Sequence, residues 1–356
     1  EVSFDSTGKS VPVLEDEDEK SESIAVAVTP DDNKTTGTTA TPQRSRFVEE
    51  VIVTAQKREE SVQDVPLSVT ALSGELLQAK GIDEPTKLST ITPGLTYNIS
   101  LGYTIVYIRG VGSDAFLTAD PSVATYIDGV YYPFSPGLAQ SFGKVERVEV
   151  LKGPQGTLFG RNSTGGAISI TTERPTLEFE GAVSSSYASF NTWKTNVLAS
   201  GPLTDTISGS VTAFYNRTSN YYNYTEDSVQ QGIQPDTSEG VRAKLRWAPL
   251  DNFDLTLGYT RIQMDGIGTA LAPNTQVSPL TQALGGRSSP RNYTAEVDAP
   301  SSYSIDNEVF TGNALLALNG LDVKVLASSQ VQRNSGHADY DGTNATLGTF
   351  SAEPFY

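Results

Sequence analysis

The chain of 356 residues contains no cysteine, one histidine and one methionine. Without thiols there is neither a disulfide framework nor thiol chemistry, and a secreted eukaryotic domain of this size ordinarily carries disulfides. The composition therefore favours a bacterial envelope protein stabilised by sheet closure. The single histidine, His337, falls in a segment predicted to be a loop. No histidine metal or haem cage and no Ser-His-Asp set can be built around it, so no catalytic residue, cofactor or metal site is expected. No run of about twenty apolar residues occurs, which excludes a helical membrane span. A membrane barrel remains open, because its strands need only about ten residues of alternating character. Basic charge is also scarce. Against 42 Asp and Glu stand 25 Lys and Arg, a formal net charge of −17, which argues against nucleic acid, whose phosphates require a cationic surface.

What is present is glycine, tyrosine and phenylalanine, at 31, 16 and 13 residues, with much Ser, Thr and Asn. Residues 1–48 are polar, include the run Glu15-Asp16-Glu17-Asp18-Glu19, and read as a disordered acidic linker that buries too little to offset the entropy of ordering. Within it, Ser23 to Val28 would pair as a strand if something docked against it. The chain opens at Glu1 without Met or an apolar leader, so an export signal is expected to have been removed. Residues 49–56 are a β-prone segment flanked by charge. Residues 57–175 then alternate short elements. A helix is expected from Ser73 to Lys80, with Ser at its N-cap and Gly81 past its end, and a second from Glu84 to Ser89. Strands are expected over Thr104 to Arg109, Ser122 to Ile127, Val145 to Leu151 and Ala167 to Thr172, making a small α+β unit.

From 176 to 356 helical periodicity disappears and an up-and-down meander of about seven strands follows. In Val241-Arg242-Ala243-Lys244-Leu245-Arg246-Trp247 the apolar residues point one way and the cations the other. Phe253, Leu255, Leu257 and Tyr259 form a similar face opposite Asp254, Thr256 and Thr260. Connectors alternate in length: short at Leu203-Thr204-Asp205, long from Thr218 to Thr237, short at Pro249 to Asn252, very long from Gly266 to Ser302, tight at Asn319-Gly320. Short turns on one side and long loops on the other mark an antiparallel transmembrane β-barrel in contact with lipid. Seven strands cannot enclose a folded domain, whereas lumen-plugged transporters use about 22. The remainder of the barrel is therefore expected to be missing from this chain.

Residues 49 to about 175 resemble the plug domain of TonB-dependent outer-membrane receptors, through six segments in order. These are Glu50-Val51-Ile52-Val53-Thr54-Ala55, Asp64 to Val69, Ile91-Thr92-Pro93-Gly94-Leu95, Ile108-Arg109-Gly110-Val111-Gly112, Tyr126-Ile127-Asp128-Gly129-Val130-Tyr131, and Val145 to Asn162 leading into Gly165-Gly166. The resemblance implies a plug seated in a barrel of about 22 strands in the bacterial outer membrane. It implies that Glu50 to Ala55 is a TonB box, facing the periplasm, which binds TonB of the inner-membrane energising complex by strand addition. It further implies that Arg109 and Arg147, expected on plug strands, latch onto carboxylates of the barrel wall. The alternative is ion pairing within the plug, to Glu146 or Glu149. The glycine turns at Gly153-Pro154-Gln155-Gly156 and Gly165-Gly166 are expected to pack the plug against the wall.

By the family's geometry a small-molecule ligand binds on the outside, and Tyr103, Phe116, Tyr132 and Phe134 are candidates for stacking on it. The same aromatics could instead pack the plug against the barrel. Tyr221, Tyr222 and Tyr224 would close over ligand or belong to the interfacial girdle. Gly110 to Ala115 matches a dinucleotide fingerprint, with Asp128 at a tempting distance, but no helix follows to hold a pyrophosphate. The expected function is energised import of a scarce nutrient such as siderophore-iron, an oligosaccharide or another small organic compound. A ligand-sensing surface receptor or an assembly component of the same fold is the alternative.

Overall fold

The computed structural model describes residues 23–26, 52–53, 60–61, 65, 67–82, 84–100, 103–113, 120–132, 144–219, 223–224, 235–267, 279–287, 294–295, 297–299, 301–339 and 349–352. Within the first half, a five-stranded sheet orders Ser68–Ser73, Val145–Lys152, Gly166–Thr172, Val123–Ile127 and Val130–Tyr132 side by side. Only the pairing of Gly166–Thr172 with Val123–Ile127 is parallel. A three-stranded sheet of Leu95–Ser100, Tyr103–Ile108 and Val111–Gly112 stands beside it.

Alternation along the strands divides the apolar side chains between two cores. Val148, Val150, Ile168, Ile170 and Val123 face Leu77, Leu88, Leu95 and Ile108. Leu151, Ala167, Ala124 and Tyr126 face Phe159 and Val65. The helix Gly74–Ala79 forms where Ser73 Oγ accepts from Leu76 N at 3.2 Å, and it stops where Gly81 takes φ +65°. The second expected helix is a 3-10 helix, Pro85–Thr90, started by its proline and burying Leu88. A four-residue helix, Gly156–Phe159, occupies what reads in sequence only as a glycine-rich turn.

The second half is one antiparallel wall. Its strands are Glu180–Ala188, Thr192–Pro202, Ile207–Ser219, Pro235–Leu250, Phe253–Gly266, Ser302–Leu318 and Leu321–Asp339, followed by a short eighth, Thr349–Ala352. Each pairs with the next. Ser23–Val26 pairs with the free edge of the first. His337, expected in a loop, lies within the seventh strand opposite Ser302, because that strand runs for 19 residues, well past the ten or so that cross a bilayer.

The wall has two unlike faces. Val183, Val211, Leu257, Phe310 and Val325 are 48 to 57% exposed, whereas Lys244, on the opposite face of its strand from Leu245, is only 9% exposed in its side chain. Apolar groups face out and a cation faces in, the reverse of a soluble sandwich. Outward aromatics pair with one another, Tyr187 with Trp193 and Tyr259 with Phe310, at ring separations of 6.1 and 4.8 Å. Beyond them the same face becomes charged, with Arg261 paired to Asp306 at 3.2 Å and to Glu308 at 3.7 Å. Apolar band, aromatic girdle and ionic rim are the sequence of environments met on leaving a bilayer.

Leu257 lies within the apolar band. Leu257→Arg is expected to cost about 2–4 kcal/mol, the range for a cation placed near the bilayer midplane, and to deplete the heat-modifiable folded form in membrane fractions. Asp251→Arg, in the two-residue turn before Phe253, should leave that form unchanged. Equal assembly of both variants would contradict the assignment of this face to lipid.

Candidate functional site

The side of the wall that faces the plug carries the charge. Its centre is the turn Asp128-Gly129, which joins Val123–Ile127 to Val130–Tyr132 as a two-residue hairpin with Ile127 opposite Val130. Both turn residues have positive φ, +51° and +82°, the combination of a type I′ turn, for which Asp-Gly is a preferred pair. The turn projects the Asp128 carboxylate toward the wall. One oxygen accepts from Thr172 N at 2.8 Å, and the other accepts from Thr172 Oγ1 at 2.7 Å and pairs with Lys244 Nζ at 2.9 Å. Lys244 also donates to Thr172 Oγ1 and to the Glu173 carbonyl, the latter at 3.2 Å. One ammonium on the fourth wall strand thus gathers the plug hairpin, the end of the central plug strand and the exit from the plug.

Burial alone would raise the Asp128 carboxyl. The Lys244 and Arg242 charges, with hydrogen bonds from Lys244 and Thr172, outweigh it and hold the group below the usual carboxylate range. A carboxyl depressed in the folded state contributes stability in full above its unfolded value, about 3.9. That contribution is lost only as pH falls through the depressed value. The Asp128 carboxylate is therefore charged throughout the neutral range.

Further contacts continue the seam. Glu84, beside the 3-10 helix, meets Lys194 of the second wall strand at 3.3 Å. Lys144 bridges Glu173, at 2.9 Å, and Glu180 of the first wall strand. On the wall itself Arg246 Nη2 meets Asp254 at 2.7 Å. Apolar contact supplements these ions where Val130 and Tyr132 pack on Val309 of the sixth strand.

This arrangement revises the latch expected from Arg109 and Arg147. Arg109 is in a turn, at φ +53°, not on a strand, and its guanidinium donates to Ser68 Oγ at 2.7 Å. Arg147 pairs with Glu149 at 2.9 Å and with Glu146, so it serves the interior of the plug. Among the described residues the ion pairs between plug and wall run both ways: Asp128 and Glu84 of the plug meet Lys244 and Lys194, while Lys144 and Arg174 meet Glu180 and Asp254 of the wall. Arg147 stays out of the Asp128 contact for a topological reason. The hairpin that reaches this part of the wall carries Asp128, and Arg147 lies three strands away across the sheet. The glycines also act within the plug. A Cβ at Gly166, at φ +148°, would lie 2.3 Å from the Leu151 carbonyl oxygen, and one at Gly165 would lie 2.8 Å from that of Val111.

The other candidate residues are scattered. Ile52–Val53 pairs antiparallel with Glu60–Ser61, while Glu50, Val51, Thr54 and Ala55 lie outside the described residues. So do Phe116, Phe134, Tyr221 and Tyr222. Tyr103 begins a plug strand, and Tyr224 belongs to a two-residue strand paired in parallel with Thr294–Ala295. Tyr132 is 6% exposed, with burial lifting its phenol to about 12, and its ring is committed to the wall contact. Gly110 to Gly112 forms a turn and a short strand, not the start of a helix. Sequence reasoning missed Asp128 as an anchor, although Asp-Gly between alternating residues is a strong hairpin signal.

Residues 61–167 match the model of the TonB-dependent Receptor Plug Domain. The pesticin receptor of Yersinia pestis is 32% identical over 210 residues, 56% of this chain and 30% of that protein. The iron-regulated outer membrane virulence protein of Vibrio cholerae is 27% identical over 210 residues, 56% of this chain and 31% of that protein. The chain thus spans about a third of the length of these relatives. Among solved structures, the ferric yersiniabactin uptake receptor of Yersinia pestis superposes with a TM-score of 0.67 at 23% identity, over 76% of this chain and 42% of that one.

Asp128→Asn should leave Lys244 facing the plug without its counter-charge and destabilise plug seating by about 3 kcal/mol, the lower end for a half-broken buried pair. The expected reading is a lower urea midpoint for plug unfolding with the barrel transition unmoved. The double variant Asp128→Asn, Lys244→Met should recover most of the loss, since no lone charge remains. A double variant as weak as the single would show that the ion pair is not the anchor.

Proposed function

We propose, from a chain that carries a TonB-dependent receptor plug domain and the first wall strands of the barrel around it, that the whole protein imports a scarce nutrient across the bacterial outer membrane. The observation that carries this reading is the seating of a folded plug against the plug-facing side of a lipid-facing wall through ion pairs. Such a plug closes the pore at rest, and contacts of this kind can be parted and re-formed. A purely structural component would gain more from an apolar plug–wall interface than from charges that must be desolvated.

The transported compound is an iron chelate of the siderophore class. Relatives that align over more than half of this chain include the pesticin receptor, the iron-regulated virulence protein and a ferripyoverdine receptor, and their names support that cargo. The outer membrane offers neither ATP nor an ion gradient, so uptake needs force delivered from the inner membrane. TonB supplies it by adding a strand to the segment Glu50 to Ala55. In that mode backbone hydrogen bonds provide most of the affinity, and the extended pairing of Ile52–Val53 with Glu60–Ser61 supports the reading. The chain acts as a transporter, with no reaction catalysed. Residues 1–48 are the tether before the TonB box, 57–175 the plug, and 176–356 the first part of the barrel.

Val53→Pro removes a backbone donor from the strand that TonB would extend. Uptake of radiolabelled ferric siderophore should fall to the level of a strain lacking the energising complex, while binding to whole cells at low temperature stays as in the wild type. Uptake that survives the substitution would refute the TonB-box assignment. Uptake indifferent to the energising complex in the wild type would favour a sensing receptor.

A further inference from the structure

Outside the charged seam, the plug-facing side of the wall changes chemistry. On the sixth and seventh strands Asn307 stands opposite Gln332, Val309 opposite Gln330 and Ile305 opposite Asn334. On the fifth strand Ile262 lies beside Asn307 and Met264 beside Ile305. Four carboxamides thus form a shelf set in apolar side chains, and none of these residues is ionisable. Gln330 Nε2 donates to Asn307 Oδ1 at 3.3 Å, and Gln332 Nε2 donates to Asn334 Oδ1 at 3.0 Å. Asn307 is 4% exposed and Gln332 9%. Among the described residues, the Gln332 Oε1 acceptor meets no donor, and neither does Asn216 Oδ1 on the same side of the third strand.

A buried carboxamide with an unmet acceptor, as at Gln332, is a poor way to fill space. Leucine or methionine would fit without the desolvation cost. The place of the shelf supplies a reason for it. Val309, the direct neighbour of Gln330, is the residue on which the plug hairpin packs Val130 and Tyr132. Withdrawal of that hairpin, anchored by Asp128 to Lys244, would open the shelf to the lumen. A row of groups that both donate and accept, without net charge, makes many moderate contacts with hydroxyl and amide groups. Such contacts admit a solute and let it leave. An anionic exterior would find no cation among these residues; Arg242, on the same face, lies two strands from Val309 in its cross-strand row.

We propose that this carboxamide shelf is a contact surface for the transported compound, uncovered when the hairpin leaves the wall, and that it takes an uncharged exterior dense in hydroxyl and amide groups. The proposal rests on the import reading above and specifies the chemistry of the path. It can be tested in planar bilayers holding the full-length protein, with urea added to unseat the plug and maltohexaose as a neutral, hydroxyl-dense probe. The wild type should show sugar-dependent current block, and inositol hexakisphosphate should block less well at equal concentration. Asn307→Leu with Gln332→Leu should weaken the sugar block at least fivefold while the heat-modifiable folded form is retained. Gln332→Met, similar in length, gives the same direction of change should the double variant fail to reach the membrane. Absence of block in the wild type, stronger block by the polyanion, or block unchanged by the substitutions would each overturn the proposal. Uptake with and without the energising complex is scored separately in cells. A protein that shows the block yet imports nothing would keep the shelf as a hydroxyl-binding surface and overturn the import reading instead.

Discussion

One carboxylate and one ammonium hold the plug hairpin to the wall, and the character of the interface follows from that choice. Apolar burial would fix the plug more firmly, because a buried ion pair is seldom more stable than well-packed hydrocarbon. An ion pair has a different virtue. Its strength depends on the medium: two unit charges about 4 Å apart attract by about 4 kcal/mol at the effective dielectric of a protein surface and by about 1 kcal/mol in bulk water. Closed, the Asp128–Lys244 contact keeps the ammonium largely away from water and is supported by Thr172 and the Glu173 carbonyl. Once parted by a small displacement, it admits water and loses most of its hold. Such a contact yields abruptly, whereas an apolar seam yields in proportion to the area exposed.

The seam was only partly legible in the sequence. The alternation of Arg242, Lys244 and Arg246 with Val241, Ala243, Leu245 and Trp247 set the direction of the fourth wall strand, because a period of two needs no tertiary information. What those cations meet could not be read the same way. Arg246 meets Asp254 on the next strand, but the partners of Lys244 lie more than seventy residues away, and pairing across that distance depends on how the plug is seated. The plug strands Tyr103–Ile108, Val123–Ile127, Val145–Lys152 and Gly166–Thr172 and the first helix were legible from capping and from β-branched runs, whereas Leu95–Ser100 and Val130–Tyr132 were not. The helix Gly156–Phe159 was not, because a single turn between glycines has no periodicity to detect. Arg147 shows a different difficulty. A guanidinium with carboxylates two residues on and one residue before it had two plausible partners, wall or plug, and only coordinates show that Glu149 takes it.

The lumen-facing side of the wall also departs from the uniformly wet surface that alternation suggests. Ile262, Met264, Ile305 and Val309 are all buried on that side. Period-two reasoning tells one face from the other but is blind to what covers a face. Here a plug hairpin with its own apolar flank covers part of it, so apolar residues inside the barrel are as well placed as those outside. The wall is thus divided along its length into a charged part, where the plug is anchored, and a neutral part carrying the carboxamide shelf.

That division constrains the register of the strands more tightly than lipid alone would. A slip of one residue between neighbouring wall strands exchanges the two faces of the slipped strand. On the fourth strand it would turn Lys244 to the hydrocarbon and Leu245 to Asp128, so the lipid band and the latch would fail together. The pairings Lys244 with Ser210 and with Gly258 place small neighbours on both sides of the ammonium and leave room for the hairpin. The lipid thus enforces, through Leu245, Leu257 and Phe310 on one face, the same alignment that the plug needs on the other. A wall built to satisfy the membrane is, by the pleat of its strands, already aligned to receive the plug.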